Sequence, residues 1–195
     1  MPPTRVFVIS GPSGAGKSSI INAVLEQRPA MRLSVSMTTR APRAGEQNGR
    51  EYHFVDAPTF EQMIANGLFL EWARNYDNYY GTSQPHIEEI LQGGHHALLD
   101  VDTQGALNMQ QHYSGVCYLF ITPPSLPVLE ERLRGRGTES EEVIAKRMAR
   151  AAQEIELSSH YDHIIMNGTL EQAIKDTLRV IDTEVENDVP FKRIA

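Results

Sequence analysis

A strand-like run, Arg5-Val-Phe-Val-Ile-Ser10, leads straight into Gly11-Pro-Ser-Gly-Ala-Gly16-Lys17-Ser18, and Ser18 to Gln27 then reads as a helix with Ile20, Ile21, Val24 and Leu25 on one side. The middle segment fits G-x-x-x-x-G-K-[ST] at every position, in the strand–turn–helix context that the motif requires. Glycines let the chain curl so that successive N–H groups converge on phosphate oxygens. The helix start adds favourable partial charge. Lys17 is expected to reach the β- and γ-phosphates, and the Ser18 hydroxyl to help hold Mg2+. The motif implies a nucleoside triphosphate but does not specify the reaction.

The rest of the chain keeps alternating. Leu33 to Met37 reads as a strand, and the charged, Pro- and Gly-bearing stretch Arg40 to Glu51 as a loop. Pro58 to Asn66 reads as a helix with Phe60, Met63 and Ile64 inward and Gly67 as its stop. A strand over Leu68 to Ala73 follows. Pro85 to Gln92 is a short helix ended by Gly93-Gly94, and His95 and His96 lead into the next strand. Ala97 to Val101 and Val116 to Thr122 are apolar runs of the parallel-strand type. Ser125 to Arg134 and Glu141 to Glu156 read as helices, with Thr138 and Glu141 at capping-box spacing for the second. His163 to Met166 is a last strand, and about Leu170 to Glu186 a last helix, opened by Thr169 and Gln172. The alternation implies an α/β fold: a mainly parallel sheet flanked by helices, with ligands bound at the carboxyl ends of its strands.

The chain has 195 residues, the length of one domain, with 41% hydrophobic residues to bury. No apolar run approaches the roughly 20 residues needed to span a bilayer, and no signal-peptide core is present. A cytoplasmic, reducing setting is expected, with no membrane partner. The lone Cys117 excludes an intrachain disulfide and a multi-cysteine zinc site, and its apolar neighbours mark it as a small buried hydrophobe. With 18 basic against 25 acidic residues the formal charge is -7, which argues against a nucleic-acid partner. Phosphate binding needs only local positive charge and stays open. So does the oligomeric state, a homo-oligomer included.

Asp102-Thr-Gln-Gly105 matches the D-x-x-G of small GTPases, but no Asn in the chain is followed by Lys, so the guanine-reading N-K-x-D is absent. A richer constellation is Ser36-Met-Thr-Thr-Arg40-Ala-Pro-Arg43-Ala-Gly-Glu46, continuing to Tyr52-His-Phe54. Arginines, hydroxyls and a tyrosine in one loop-rich stretch suit a phosphate dianion. Downstream of a first phosphate loop, they suggest a second phosphate site.

With these residues quoted, the chain resembles the guanylate kinase family over nearly its whole length. The resemblance continues through Phe69-Leu-Glu71-Trp-Ala73, Asn78-Tyr-Tyr80-Gly-Thr82, Leu99-Asp100-Val-Asp102-Thr-Gln-Gly-Ala106 and Arg134-Gly-Arg136-Gly-Thr138. It implies transfer of the γ-phosphoryl group of ATP to GMP with Mg2+, giving ADP and GDP, on a P-loop NTPase-type sheet. It also implies one domain divided into a core at about 1–33, 84–134 and 157–195, a GMP-binding arm at about 34–83 and a helical lid at about 135–156. Gly11, Pro12, Ser13, Gly14, Ala15, Gly16, Lys17, Ser18 and Ser19 match the loop around the ATP phosphates. Arg132, Arg136 and Arg147 match lid-region arginines over those phosphates, with Arg150 beside them, and Asn167 a position near the adenine. Arg40, Arg43, Tyr52 and Tyr80 match positions that hold the GMP phosphate; Ser36, Glu71 and Thr82 match those that read guanine. Asp100 matches a carboxylate near the GMP base and the metal, so Ser18 and Asp100 form the implied Mg2+ set. The separate roles of Asp100 and Asp102 stay open.

Charge, not acid–base chemistry, would drive the step: a GMP phosphate oxygen is already ionised, and Lys17, Arg40, Arg136 and Arg147 would neutralise the transferring group. Met37, Gln47 and Asp77 depart from the family's usual residues beside matched contacts, without replacing one. Two rivals frame the expectation. A guanylate-kinase-like protein-binding domain typically has a damaged P-loop, whereas this one is intact. A related kinase for another phosphorylated small molecule should lack Ser36, Glu71 and Thr82.

Overall fold

A computed structural model describes residues 4–75, 77–135, 140–187 and 189–194. Its strands and helices in chain order are β1 (Val6–Ser10), α1 (Lys17–Gln27), β2 (Met31–Ser34), β3 (Met37–Thr38), β4 (His53–Phe54), α2 (Ala57–Ala65), β5 (Phe69–Asn75), β6 (Asn78–Ser83), α3 (Gln84–Gln92), β7 (His96–Asp100), α4 (Thr103–His112), β8 (Tyr113–Ser114), β9 (Val116–Thr122), α5 (Leu126–Arg134), α6 (Glu141–Glu156), β10 (His163–Met166), α7 (Leu170–Glu186) and β11 (Lys192–Arg193).

The central sheet has the order β10-β9-β1-β7-β2, and every neighbouring pair is parallel. Both faces are covered, as the continuous apolar runs of β1 and β9 demand. Successive side chains of β1 alternate between the faces. Phe7 and Ile9 pack with Ile20, Ile21 and Val24 of α1 and with Leu178 and Ile181 of α7. Val6 and Val8 pack on the opposite side with Ile87 and Ile90 of α3 and Ala106 and Met109 of α4. Cys117 is a free buried thiol in the first of these cores, and burial pushes its pKa up.

A second sheet of order β4-β3-β6-β5 stands beside the first. Here β6 runs antiparallel to both β3 and β5. Phe60 of α2 anchors the sheet, stacking on Phe69 at 4.3 Å and Tyr79 at 5.2 Å between ring centroids. The pairing of β5 with β6 shifts register between Phe69 and Glu71. That irregularity sets Glu71 opposite Thr82, a point on which the site depends.

Differences from the sequence reading have physical causes. The strand expected over Leu33 to Met37 is two strands, because β2 belongs to the central sheet and β3 to the second one. The helix α4 was not anticipated; its side chains lack a clear apolar stripe, but Asp102 caps its start by accepting from Gly105 N–H at 2.9 Å. At α6 the cap is Ser140, which accepts from Val143 N–H; the expected partner Thr138 lies outside the described residues. The patternless tail folds back on its own chain, with β11 antiparallel to β8 and Phe191 stacked on Tyr113. Arg5 ties the tail down by donating to Asn187 O, Val189 O and the Glu184 carboxylate.

Candidate functional site

The first wall of the cleft is the loop between β1 and α1. Gly16, at the N-cap of α1, has φ 95°, where a side chain is strained. A Cβ at this position would also collide with Asn167 Nδ2. That same Nδ2 donates to Ala15 O at 2.7 Å, so the buried Asn167 braces the loop from behind while its Oδ1 has no protein partner. Lys17 folds over the loop and donates to Gly11 O at 2.7 Å. Ser18 and Ser19 lie exposed in the first turn of α1.

The second sheet supplies the facing wall. Thr82, 1% exposed, donates its hydroxyl hydrogen bond to Glu71 Oε1 at 2.6 Å. Burial pushes the Glu71 carboxyl up to about 7, with the Thr82 hydrogen bond opposing the shift and the charge of Asp102 adding to it. Arg40 lies over the rings of Tyr52 and Phe54, at 5.4 and 5.7 Å from their centroids. Tyr52 in turn meets the Tyr80 ring edge-on at 6.0 Å. Arg43 is exposed.

One carboxylate holds these two arginine residues together. Glu46 pairs with the Arg40 guanidinium at 2.9 Å and accepts from the Arg43 backbone N–H at 2.7 Å. The hydrogen bonds from Arg40 and Arg43 hold its carboxyl below the usual range. Sequence reasoning gave Glu46 no role, although an acid three residues after Arg43 in a loop is the available signal.

The floor comes from β7 and the turn that follows. Asp100 opens onto the cleft, and poor hydration between its walls pushes the carboxyl up while Lys17 pulls it back. Asp102 stands apart from Asp100 in what it does. One of its oxygens caps α4, and the other accepts from Arg150 at 3.3 Å. The D-x-x-G segment is thus a helix start.

The last side is α6. Arg147 donates to Ser13 Oγ of the loop at 3.1 Å. Arg150 bridges Asp102 and Glu154. Arg132 of α5 donates to Asn167 O at 2.8 Å. Arg136 lies outside the described residues.

These walls enclose one cavity of about 690 Å3, which Ser13, Lys17, Ser36, Tyr52, Glu71, Tyr80, Asp100 and Arg147 all line. Residues far apart in sequence thus meet around one space. Lys17 and the glycine-bearing loop share this lining with Glu71, whose hydroxyl partner Thr82 is buried outside it. Pro12, Gly14, Ala15, Gly16, Ser18, Ser19, Arg40, Arg43, Thr82, Arg132 and Asn167 are not part of that lining; Thr82 and Asn167 touch it only through Glu71 and the loop. No helix among the described residues is long and apolar enough to cross a membrane.

Comparison with known proteins gives a consistent picture. The family model described as guanylate kinase matches residues 3–184. The guanylate kinase of Zymomonas mobilis subsp. mobilis is 49% identical over 180 residues, covering 92% of this chain and 83% of the relative. That of Thiobacillus denitrificans is 46% identical over 178 residues, covering 91% and 85%. Among solved structures, a guanylate kinase from Anaplasma phagocytophilum aligns with TM-score 0.74 and 31% identity, over 96% of this chain and 89% of its own.

Proposed function

The chain belongs to the guanylate kinase family, an enzyme that phosphorylates GMP at the expense of ATP, and we propose that the cleft described above performs that transfer with the residue roles set out below. The observation that carries the assignment is the cavity itself, which Lys17 and Gly11 and Ser13 of the phosphate loop line together with Glu71, the carboxylate that Thr82 holds.

Guanine offers N1–H and a 2-amino group side by side, two donors for one ionised carboxylate. Glu71 receives that edge, held by Thr82 with Ser36 beside it. The GMP phosphate takes the place of Glu46 against Arg40 and joins Arg43, Tyr52 and Tyr80. The ATP phosphates lie in the curl of residues 11–19, where Lys17 exchanges Gly11 O for a phosphate oxygen. Asn167, bonded to Ala15 O behind the loop, shapes the loop on the side that the family resemblance gives to adenine.

The donor set near Lys17 is oxygen-only, a hydroxyl and a carboxylate, which suits a cation that draws its remaining ligands from phosphate and water. Ser18 and Asp100 would hold Mg2+, which neutralises charge on the transferring group when bound with ATP. The chain's own residues do the rest. Lys17, Arg40 and Arg147 draw the two phosphate groups into line and balance the charge that builds between them, and Arg136 belongs to the same set by its place in the sequence. The α6 segment, already bridged to the loop through Arg147 and Ser13, serves as the lid, with about 34–83 as the GMP arm. Closure over both nucleotides excludes water and with it idle ATP hydrolysis. A cytoplasmic setting goes with these substrates.

A pH dependence follows. Free Glu71 has its carboxyl raised to about 7, and only the ionised form accepts both guanine donors. The specificity constant for GMP, which reports the free enzyme, is therefore expected to be level above pH 8 and to fall as pH drops through 7. The GMP phosphate loses its second charge near pH 6, so a lower limb remains in any variant. Glu71→Gln should keep that lower limb and lose the one near 7. Superimposable profiles for the two proteins would show that Glu71 does not titrate in the reaction.

A further inference from the structure

Gly105 is the third residue of α4, in ordinary helical conformation. Glycine is the poorest helix former after proline, and no left-handed φ requires it here. Space does. A Cβ at this position would lie 2.7 Å from Glu71 Oε2, 3.2 Å from Glu71 Cδ and 2.7 Å from Val101 Cγ1. None of these has an easy retreat. The other Glu71 oxygen is held by Thr82 at 2.6 Å, and Val101 is 4% exposed. Nor can the helix start back away, because the Gly105 N–H is pinned to Asp102 at 2.9 Å.

We infer that Gly105 is a positioning residue for nucleobase selection: its bare Cα is the wall against which the Glu71 carboxylate rests, and it sets where that carboxylate meets the base. The inference rests on the reading of Glu71 as the group that receives guanine. It gives the Asp102-to-Gly105 turn a purpose within the GMP site. Asp102 fixes the height of the wall, and the missing side chain leaves the carboxylate its place.

Gly105→Ala tests this. The added methyl displaces Glu71 by a fraction of its own length, and misplacements on the order of 1 Å cost up to about 100-fold. The KM for GMP should rise roughly 10- to 100-fold, while the KM for ATP stays within about twofold. Its acidic limb for GMP should also move to lower pH as Glu71 is pushed toward water. In a double-mutant cycle with Glu71→Asp, whose carboxylate is withdrawn by one methylene, Gly105→Ala should add less than about twofold. If Gly105→Ala does not fold, it is made together with Val101→Ala, which frees the second close contact, and Glu71→Asp should then raise the stability of that chain. An unchanged KM for GMP, an equal rise in both KM values, multiplicative effects in the cycle or no gain in stability from Glu71→Asp in the Val101→Ala background would each overturn the inference. Glu71→Gln measured alongside separates the two readings. If it retains full preference for GMP over AMP, the base-reading assignment falls; if it loses that preference and Gly105→Ala does not, only the role of Gly105 falls.

Discussion

Lys17→Ala is expected to lower kcat by about 100- to 1000-fold, the usual loss when one preorganised donor to a developing charge is removed. Lys17 is the one side-chain cation of the proposed phosphate loop at residues 11–19. Its Nζ is parked on Gly11 O at 2.7 Å, a neutral partner from which it is released when a phosphate oxygen arrives. The cation influences Asp100 across the cleft, so it stands where the transferring group must pass. The guanine wall is on the other side of the cavity, and GMP binding measured by calorimetry without ATP should change little. A variant with near-normal kcat would remove Lys17 from the phosphate path. One that also lost GMP binding would show that the two walls are not independent.

Glu71→Ala should act on selectivity rather than on the phosphate chemistry. A site that pairs with polar groups of its substrate rejects an analogue lacking them by roughly 10⁴–10⁵-fold, because its own buried group is left unpaired. Adenine presents an acceptor at N1 and no 2-amino group, so it leaves the Glu71 carboxylate unmatched. With alanine in its place the penalty against AMP disappears together with the attraction for GMP. The ratio of specificity constants for GMP over AMP should fall by at least about 100-fold, while the KM for ATP is nearly unchanged. Ser36 and the Thr82 hydroxyl, the latter left without its 2.6 Å partner, remain as the other proposed base-reading groups and should keep the ratio from reaching unity. Unaltered discrimination in this variant would place base recognition elsewhere.

The parts of the fold that could be read from the chain are those whose pattern is local. Continuous apolar runs mark β1 and β9 because both faces of the central sheet are covered. The cap at Thr169 marks α7, and the phosphate loop is contiguous. What stayed hidden depends on distant partners. The strand β6, Asn-Tyr-Tyr-Gly-Thr-Ser, has no alternation of its own and is a strand because β5 and β3 flank it. The two residues of β11 are held by β8, and Arg5 fixes the chain just before them at Asn187 and Val189. In the site, Glu71 and Thr82 were identified as separate matches to a family pattern. Their contact requires the shifted register after Phe69. The tight approach of Gly105 to Glu71 requires α4 to pack behind β5. Spacing in the sequence carries neither fact. Glu46 was passed over for a similar reason: its role appears only when the loop brings it onto Arg40 and the Arg43 N–H at once.

If one cavity joins an ATP phosphate loop to a guanine-reading wall, ADP release from ATP and Mg2+, measured with GMP, AMP, CMP and UMP supplied in parallel, should be rapid with GMP and have at least about 10⁴-fold lower specificity constants for the other three. Comparable turnover with AMP, or none with GMP despite bound ATP, would separate the two walls.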